Sequence, residues 1–194
     1  FFLTLVMLLI FVSTACAQNI QLLSLKEGFN FISFTITPAI SPYELKKQNA
    51  LLDEIYTYSA ASGSFLSFGE GTLPTLEYGR GYIIRANSEV VITISGQIPA
   101  SIGTLNLKAG FNLVGLSRKP ENITFSQLMT RYDIIRGIYR WSAASGSFIQ
   151  VIRDNNGNIL QIDGFDPSVS EGASYFFNIF EDMTLSYSGD KILF

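Results

Sequence analysis

Tyr56 with Tyr58, and Tyr139 with Trp141, stand two residues apart in alternating stretches of the chain. Side chains two apart on a β-strand share a face, so each pair can present two rings side by side. A flat aromatic surface of that kind stacks against the apolar face of a sugar ring. The same rings also suit a core or the contact between two packed units, where Tyr and Trp bury a large apolar body and keep the polar end at an edge. Tyr56, Tyr58, Tyr139 and Trp141 are therefore the candidate ligand-binding residues, with packing as the competing role.

The remaining reactive inventory is thin. The chain has no His, which removes the commonest general base and metal ligand, and its one Cys is Cys16. A carboxylate pair, as in glycoside hydrolysis, needs neither. Asp154, Asn156 and Asn158 resemble the start of a calcium loop, but Gly157 comes too early and no Glu stands at the twelfth position, so an EF-hand is excluded. A looser calcium site with Asp163 or Asp166 is the alternative to a plain hairpin turn at that place. Asn122-Ile123-Thr124 matches the N-glycosylation sequon. A net charge of −3 leaves no basic excess for phosphates and argues against nucleic acid. No catalytic residue, metal or cofactor is expected.

The elements that position the aromatic pairs are read from an internal repeat. Leu25-Lys26-Glu27-Gly28-Phe29-Asn30 is echoed 82 positions on by Leu107-Lys108-Ala109-Gly110-Phe111-Asn112, and Pro38 and Pro120 keep that offset. The seven residues from Ser59 to Phe65, SAASGSF, return letter for letter from Ser142 to Phe148. A third block pairs Gly71, Pro74, Gly79, Tyr82 and Gly96 with Gly164, Pro167, Gly172, Tyr175 and Gly189. Three blocks in one order divide the chain into two copies, 23–98 and 104–190, the second carrying an extra hairpin at 149–162. Duplication also weakens the carboxylate hypothesis, because a duplicated catalytic site should repeat its acids. Only Glu70 with Asp163, and Glu89 with Asp182, do so, in polar turn-like stretches, while Glu44 is matched by Gln127.

Each copy is expected to fold alike, as a mainly β (α+β) module of about five antiparallel strands plus one short helix. An apolar opening strand is interrupted at Gly28 or Gly110, which suggests a bulge or sharp bend. Ser41, Pro42 and Glu44 form a capping box with Pro at the first helical position, predicting a helix to about Leu52. Thr124 and Gln127 keep the same hydrogen-bonding capability. Next come a strand with the aromatic pair, a turn built on SAASG with Gly63 or Gly146 as its structural pivot, and a returning strand from Phe65 or Phe148. A further hairpin, from Gly81 to Ile94 and from Tyr175 to Tyr187, is expected to close each copy.

The start of the chain reads as an export signal. Residues 1–17 are apolar and uncharged, with the first charge at Lys26, and Ala15-Cys16-Ala17 places small residues for cleavage after Ala17. A second reading makes Cys16 a lipidated N-terminus, although Ser13 stands where Leu is usual. The polar Gln18 and Asn19 end the apolar run short of the ~20 residues a membrane span needs. Both readings place the folded part outside the cytoplasm, secreted or at the cell surface, with the membrane engaged only through the signal peptide or a lipid on Cys16. Without Cys16 no disulfide can form, so stability must come from packing.

Gly-Phe-Asn near an opening strand, Tyr56-x-Tyr58 or Tyr139-x-Trp141 followed by a turn and an aromatic, and Gly-x-x-Tyr before a terminal Ser-Gly resemble a degenerate repeat of bacterial and archaeal secreted and cell-surface proteins. Its usual forms there are G-W-N, W-x-x-x-x-G-x-W and G-x-G-Y-W. This chain has Phe29, Phe111, Phe65 and Phe148 where Trp is common, and Ala173-Ser174 before Tyr175. The resemblance implies a noncatalytic surface or adhesion module that recognises a glycan or a surface protein. The alternative is a secreted carbohydrate-active enzyme or its accessory carbohydrate-binding domain.

Overall fold

The computed structural model describes residues 19–99, 104–118, 121–188 and 191–193. The segment expected to be a signal peptide, with Cys16, and the repeat positions Pro120 and Gly189 lie outside the described residues. The described chain is mainly β, built from antiparallel sheets with two short helices.

In the first half the strands are Asn19–Leu25 (β1), Gly28–Ser33 (β2), Thr37–Pro38 (β3), Leu52–Ser59 (β4), Ser64–Ser67 (β5), Gly81–Ala86 (β6) and Val90–Gln97 (β7), with helix Pro42–Gln48 (α1) before β4. The second half has Leu105–Leu107 (β8), Gly110–Gly115 (β9), helix Phe125–Arg131 (α2), Ile135–Ser142 (β10), Ser147–Arg153 (β11), Ile159–Gln161 (β12), Ser174–Ile179 (β13), Met183–Ser188 (β14) and Lys191–Leu193 (β15). Sheet order β2-β6-β4-β5 in the first half recurs as β9-β13-β10-β11 in the second, where β12 adds an edge strand. A smaller sheet, β1-β7-β3 or β8-β14-β15, accompanies each.

One expectation is sharpened and another needs correction. The opening segment takes the sharp bend rather than the bulge. It turns at Gly28 (φ +86°) or Gly110 (φ +92°), so that β1 joins β7 while β2 joins β6 in another sheet. That turn also explains the Gly-Phe-Asn motif. The Asn30 side chain accepts from Lys26 N–H (2.8 Å) and donates to the Lys26 and Gly28 carbonyls, and Asn112 makes the same three bonds to Lys108 and Gly110. β6 and β7 do not form the expected closing hairpin. β2 and β4 already occupy both edges of β6, so the chain crosses to the other sheet, and β13 and β14 are separated likewise by β9 and β10.

The helices begin as their caps require. Ser41 with Glu44, and Thr124 with Gln127, form complete capping boxes, and the Ser41 backbone N–H and hydroxyl hold the Glu44 carboxyl below its ordinary pKa. α1 stops before Leu52 because Asn49 ends it, its side-chain amide donating to the Leu45 carbonyl at 2.8 Å. The expected extra hairpin forms from β11 and β12. Asp154 closes its turn by accepting from the backbone N–H groups of Asn156 and Asn158 and from the Asn158 amide. Those bonds, led by the Asn158 side chain, hold the Asp154 carboxyl below its usual range.

Two buried clusters hold the fold, each drawn from one half. Leu25, Phe34, Leu45, Ile55, Tyr82 and Ile92 belong to the first, and Leu116, Phe125, Leu128, Ile138, Tyr175 and Phe177 to the second.

The SAASG segments are turns, with Gly63 at φ +64° and Gly146 at φ +63°. A side chain is strained in that region. Gly63→Val and Gly146→Val should each lower stability by ~1 kcal/mol or more, read as a lower denaturation midpoint. Unchanged melting with lost ligand binding would instead make these loops a recognition surface.

Candidate functional site

The inner faces of the two large sheets enclose the cores, and their opposite faces carry aromatic rings. In the first half alternation puts Ile32, Ile55, Thr57, Tyr82 and Ile84 inside and leaves Phe29, Phe31, Tyr56, Tyr58 and Phe65 on the other face. In the second half Ile138, Val151, Tyr175 and Phe177 are inside, and Phe111, Tyr139, Trp141, Phe148 and Phe176 lie opposite. Neither buried cluster includes Tyr56, Tyr58, Tyr139 or Trp141.

The two halves meet where small residues let the backbones approach. Ile32 bridges Ala173, and Arg80 bridges Val114. Ile32 and Val114 each hold the fifth position of β2 and β9, and Arg80 and Ala173 each immediately precede β6 and β13, so the two contacts are reciprocal, as in an isologous interface. Ser33 N–H donates to the Gly172 carbonyl at 2.8 Å, and the Ser33 and Ser117 hydroxyls share a bond of 2.8 Å. Gly81 and Gly115 permit this approach. A Cβ on Gly81 would stand 2.7 Å from Leu113 Cγ, and one on Gly115 would overlap the Arg80 carbonyl.

Beside that seam the aromatic faces come together. Phe31 stacks on Trp141 (centroids 5.9 Å apart, planes at 24°) and meets Phe148 and Phe176 edge-on at 5.6 and 5.9 Å. Phe176 also meets Tyr58 at 5.4 Å, Phe65 at 6.3 Å and Phe111 at 6.1 Å, all close to perpendicular. Trp141 ties the halves directly, its Nε1–H donating to the Phe29 carbonyl at 2.7 Å. Offset and edge-on pairs of this kind add stabilisation beyond the area they bury.

The rings do not close the space between them. One open cavity of about 430 Å³ is lined by Tyr58, Phe65, Phe111, Tyr139, Phe148 and Phe176, with Gln150 at its polar end. A second, of about 370 Å³, is lined by Phe29, Tyr56, Trp141 and their neighbours. Phe29, Phe65 and Phe111 remain 40%, 51% and 44% exposed. All four aromatic residues expected from spacing line this groove, Tyr58 and Tyr139 the first cavity and Tyr56 and Trp141 the second. Burial, followed by the nearby Glu54 carboxylate, raises the Tyr56 phenol pKa.

Sequence spacing did not single out the phenylalanines as site residues. Phe29 with Phe31 has the same two-residue spacing as Tyr56 with Tyr58, and that alternation was the available signal. Nothing in the local pattern around Phe176 separates it from the buried Phe177 beside it.

The acids have other occupations. Glu89 pairs with Lys26, and Asp182 with Lys108 at 2.7 Å, in equivalent exposed ion pairs. Asp163 accepts from Gln150 N–H at 3.0 Å, and Asp166 binds the Ser126 N–H and hydroxyl in the first turn of α2. No carboxylate is among the residues that line either aromatic cavity. The groove is thus equipped to bind by stacking and burial. Compared with family models, with curated proteins and with solved structures, the chain matches none of them.

Proposed function

We propose that the chain is an exported, noncatalytic recognition module, two homologous copies in tandem, that binds a ligand at the cell surface or in the extracellular space. One observation carries this reading: ten aromatic side chains face a groove that neither core uses, and it remains open. Monomeric proteins rarely leave contiguous apolar surface of this kind without a binding role. The repeated turn glycines, asparagines and caps support descent from one module. The uncharged residues 1–17 support export with cleavage after Ala17, a lipid on Cys16 being the alternative.

A binding screen of the exported chain against glycans and surface proteins tests the reading. Tyr58→Ala and Phe65→Ala should abolish retention on whatever ligand the wild type holds, with the far-UV spectrum unchanged. Retention that survives both changes would place recognition elsewhere. Intact-mass analysis of the exported chain tests the processing: a product beginning at Gln18 is expected, and a retained Phe1 contradicts it.

A further inference from the structure

The two ends of the groove differ, and the difference points to a ligand class. Tyr139 lines the aromatic cavity on one side and, on the other, a polar cavity of about 440 Å³ with Arg136, Ile152, Arg153, Asp154, Asn155 and Asn178. Across the sheet Tyr139 stands opposite Gln150 on β11 and Phe176 on β13, while Gly137 stands opposite Ile152 and Asn178. Gly137 lets the Tyr139 ring lie along the strand. A Cβ there would stand 3.0 Å from the phenol oxygen and 3.1 and 3.2 Å from two ring carbons. A ring lying down on the sheet, with Phe111 tilted beside it at 5.4 Å, offers a stacking surface next to side-chain amides. The amides of Gln150, Asn155 and Asn178 make no hydrogen bond to other described side chains or backbone, so their donors and acceptors are available.

The matching place in the first half is filled. Glu54 stands where Gly137 does, its carboxylate accepting from Gly69 N–H, and Arg85 stands where Asn178 does, paired with Asp53 at 3.1 Å. The first half has charges held by local partners there, and the second has a glycine, free amides and the extra hairpin that brings Asn155.

We infer that the trough across Tyr139 binds an uncharged oligosaccharide, one sugar stacked on Tyr139 and Phe111 and its hydroxyls bonded by Gln150, Asn178, Asn155 and Arg136. A pyranose with equatorial hydroxyls has this same division, an apolar C–H face bordered by groups that both donate and accept. Side-chain amides meet that need in both directions, whereas a polyanion would need more than Arg136, which lies over the Phe180 ring, and Arg153, whose guanidinium is bonded to the Ile135, Gly157 and Met129 carbonyls. Asp154 is committed to its turn and adds no free carboxylate. Two adjoining cavities of this size suit a ligand longer than one ring. The inference rests on the recognition role proposed for the groove and names its ligand.

Calorimetric titration of the exported chain with cellohexaose, chitohexaose and mannohexaose, and with hexagalacturonate as the charged comparison, tests it. Saturable binding of at least one neutral hexasaccharide is expected. Tyr139→Ala should weaken it at least tenfold and Asn178→Ala severalfold, Tyr139→Phe should keep it within about threefold, and Thr93→Ala, at an exposed position of β7 in the smaller sheet, should leave it within twofold. The Tyr139→Phe variant keeps the test decisive if Tyr139→Ala does not fold. No binding of any neutral hexasaccharide overturns the inference, as does binding insensitive to Tyr139→Ala. If hexagalacturonate or a protein alone binds and Tyr58→Ala abolishes it, the sugar class fails while the recognition role of the groove stands.

Discussion

Gly115→Val is expected to loosen the contact between the two halves and lower stability by about 3 kcal/mol, the upper range for overpacking a close contact. The cause is steric, because Gly115 does not have a positive φ. A Cβ there would overlap the Arg80 carbonyl and crowd the Ser33 hydroxyl, and a carbonyl in a backbone bridge cannot rotate away as a side chain can. Each half keeps its own core, so the strands should survive while the seam opens. Trp141, the single tryptophan, reports the seam through its bond to the Phe29 carbonyl and its stacking on Phe31. Gly115→Val should therefore shift tryptophan emission to the red under native conditions with little change in far-UV signal, and reduce the urea midpoint. Ser24→Val, on an exposed strand position, is the control and should change stability by less than ~0.5 kcal/mol. An unshifted emission with an unchanged midpoint would show that the halves do not depend on this approach.

What could be read from the residues alone follows the range over which each interaction acts. Capping boxes, turn glycines and the SAASG turns are settled within a few residues, and Ser41, Thr124, Gly63 and Gly146 take the expected roles. Strand partners are settled by which edges are already occupied. Gly81–Ala86 followed by Val90–Gln97 reads as a hairpin because a short polar link joins two alternating runs, yet β2 and β4 exclude β7 from both edges of β6. Similarly, Asn30 reads as part of the Gly-Phe-Asn motif in the opening strand, and its role in tying the turn between two sheets emerges only when Lys26 and Gly28 are seen around it. For the site, the two-residue spacing of Tyr56, Tyr58, Tyr139 and Trp141 correctly puts each pair on one face. It does not distinguish the face toward a core from the face toward the other half. Gly137 was the least legible residue, since a glycine in a strand gives no sign of the ring that lies over it.

Alkaline titration should reveal the buried tyrosines of the two cores. Tyr82 is fully buried against Phe34, with ring centroids 5.2 Å apart, and burial pushes its phenol pKa up to about 12. Tyr175, against Phe125 at 5.4 Å, is raised for the same reason. Each phenol oxygen accepts one backbone N–H, from Glu77 at 2.6 Å and from Ser170 at 2.9 Å, which lowers the pKa without cancelling burial. Below pH ~10 folded and unfolded chains both keep the proton, so the contribution is fully present. Between pH ~10 and ~12 the unfolded chain loses its proton first, and stability falls as pH rises through the folded value. A shift of two units at ~1.4 kcal/mol each makes the stability lost through Tyr82 about 3 kcal/mol once both states are ionised. Tyr82→Phe removes both the titration and the acceptor for Glu77 N–H, and the lost bond costs about 1 kcal/mol at neutral pH. The variant should thus be less stable than the wild type at pH 8, and the two curves should cross near pH ~11, where the alkaline loss of the wild type equals that cost. Urea midpoints measured from pH 8 to 11.5 decide it. Parallel curves would mean that the Tyr82 phenol ionises in the fold as readily as in the unfolded chain, contradicting its place inside the first core, whereas convergence and reversal are the outcome its burial requires.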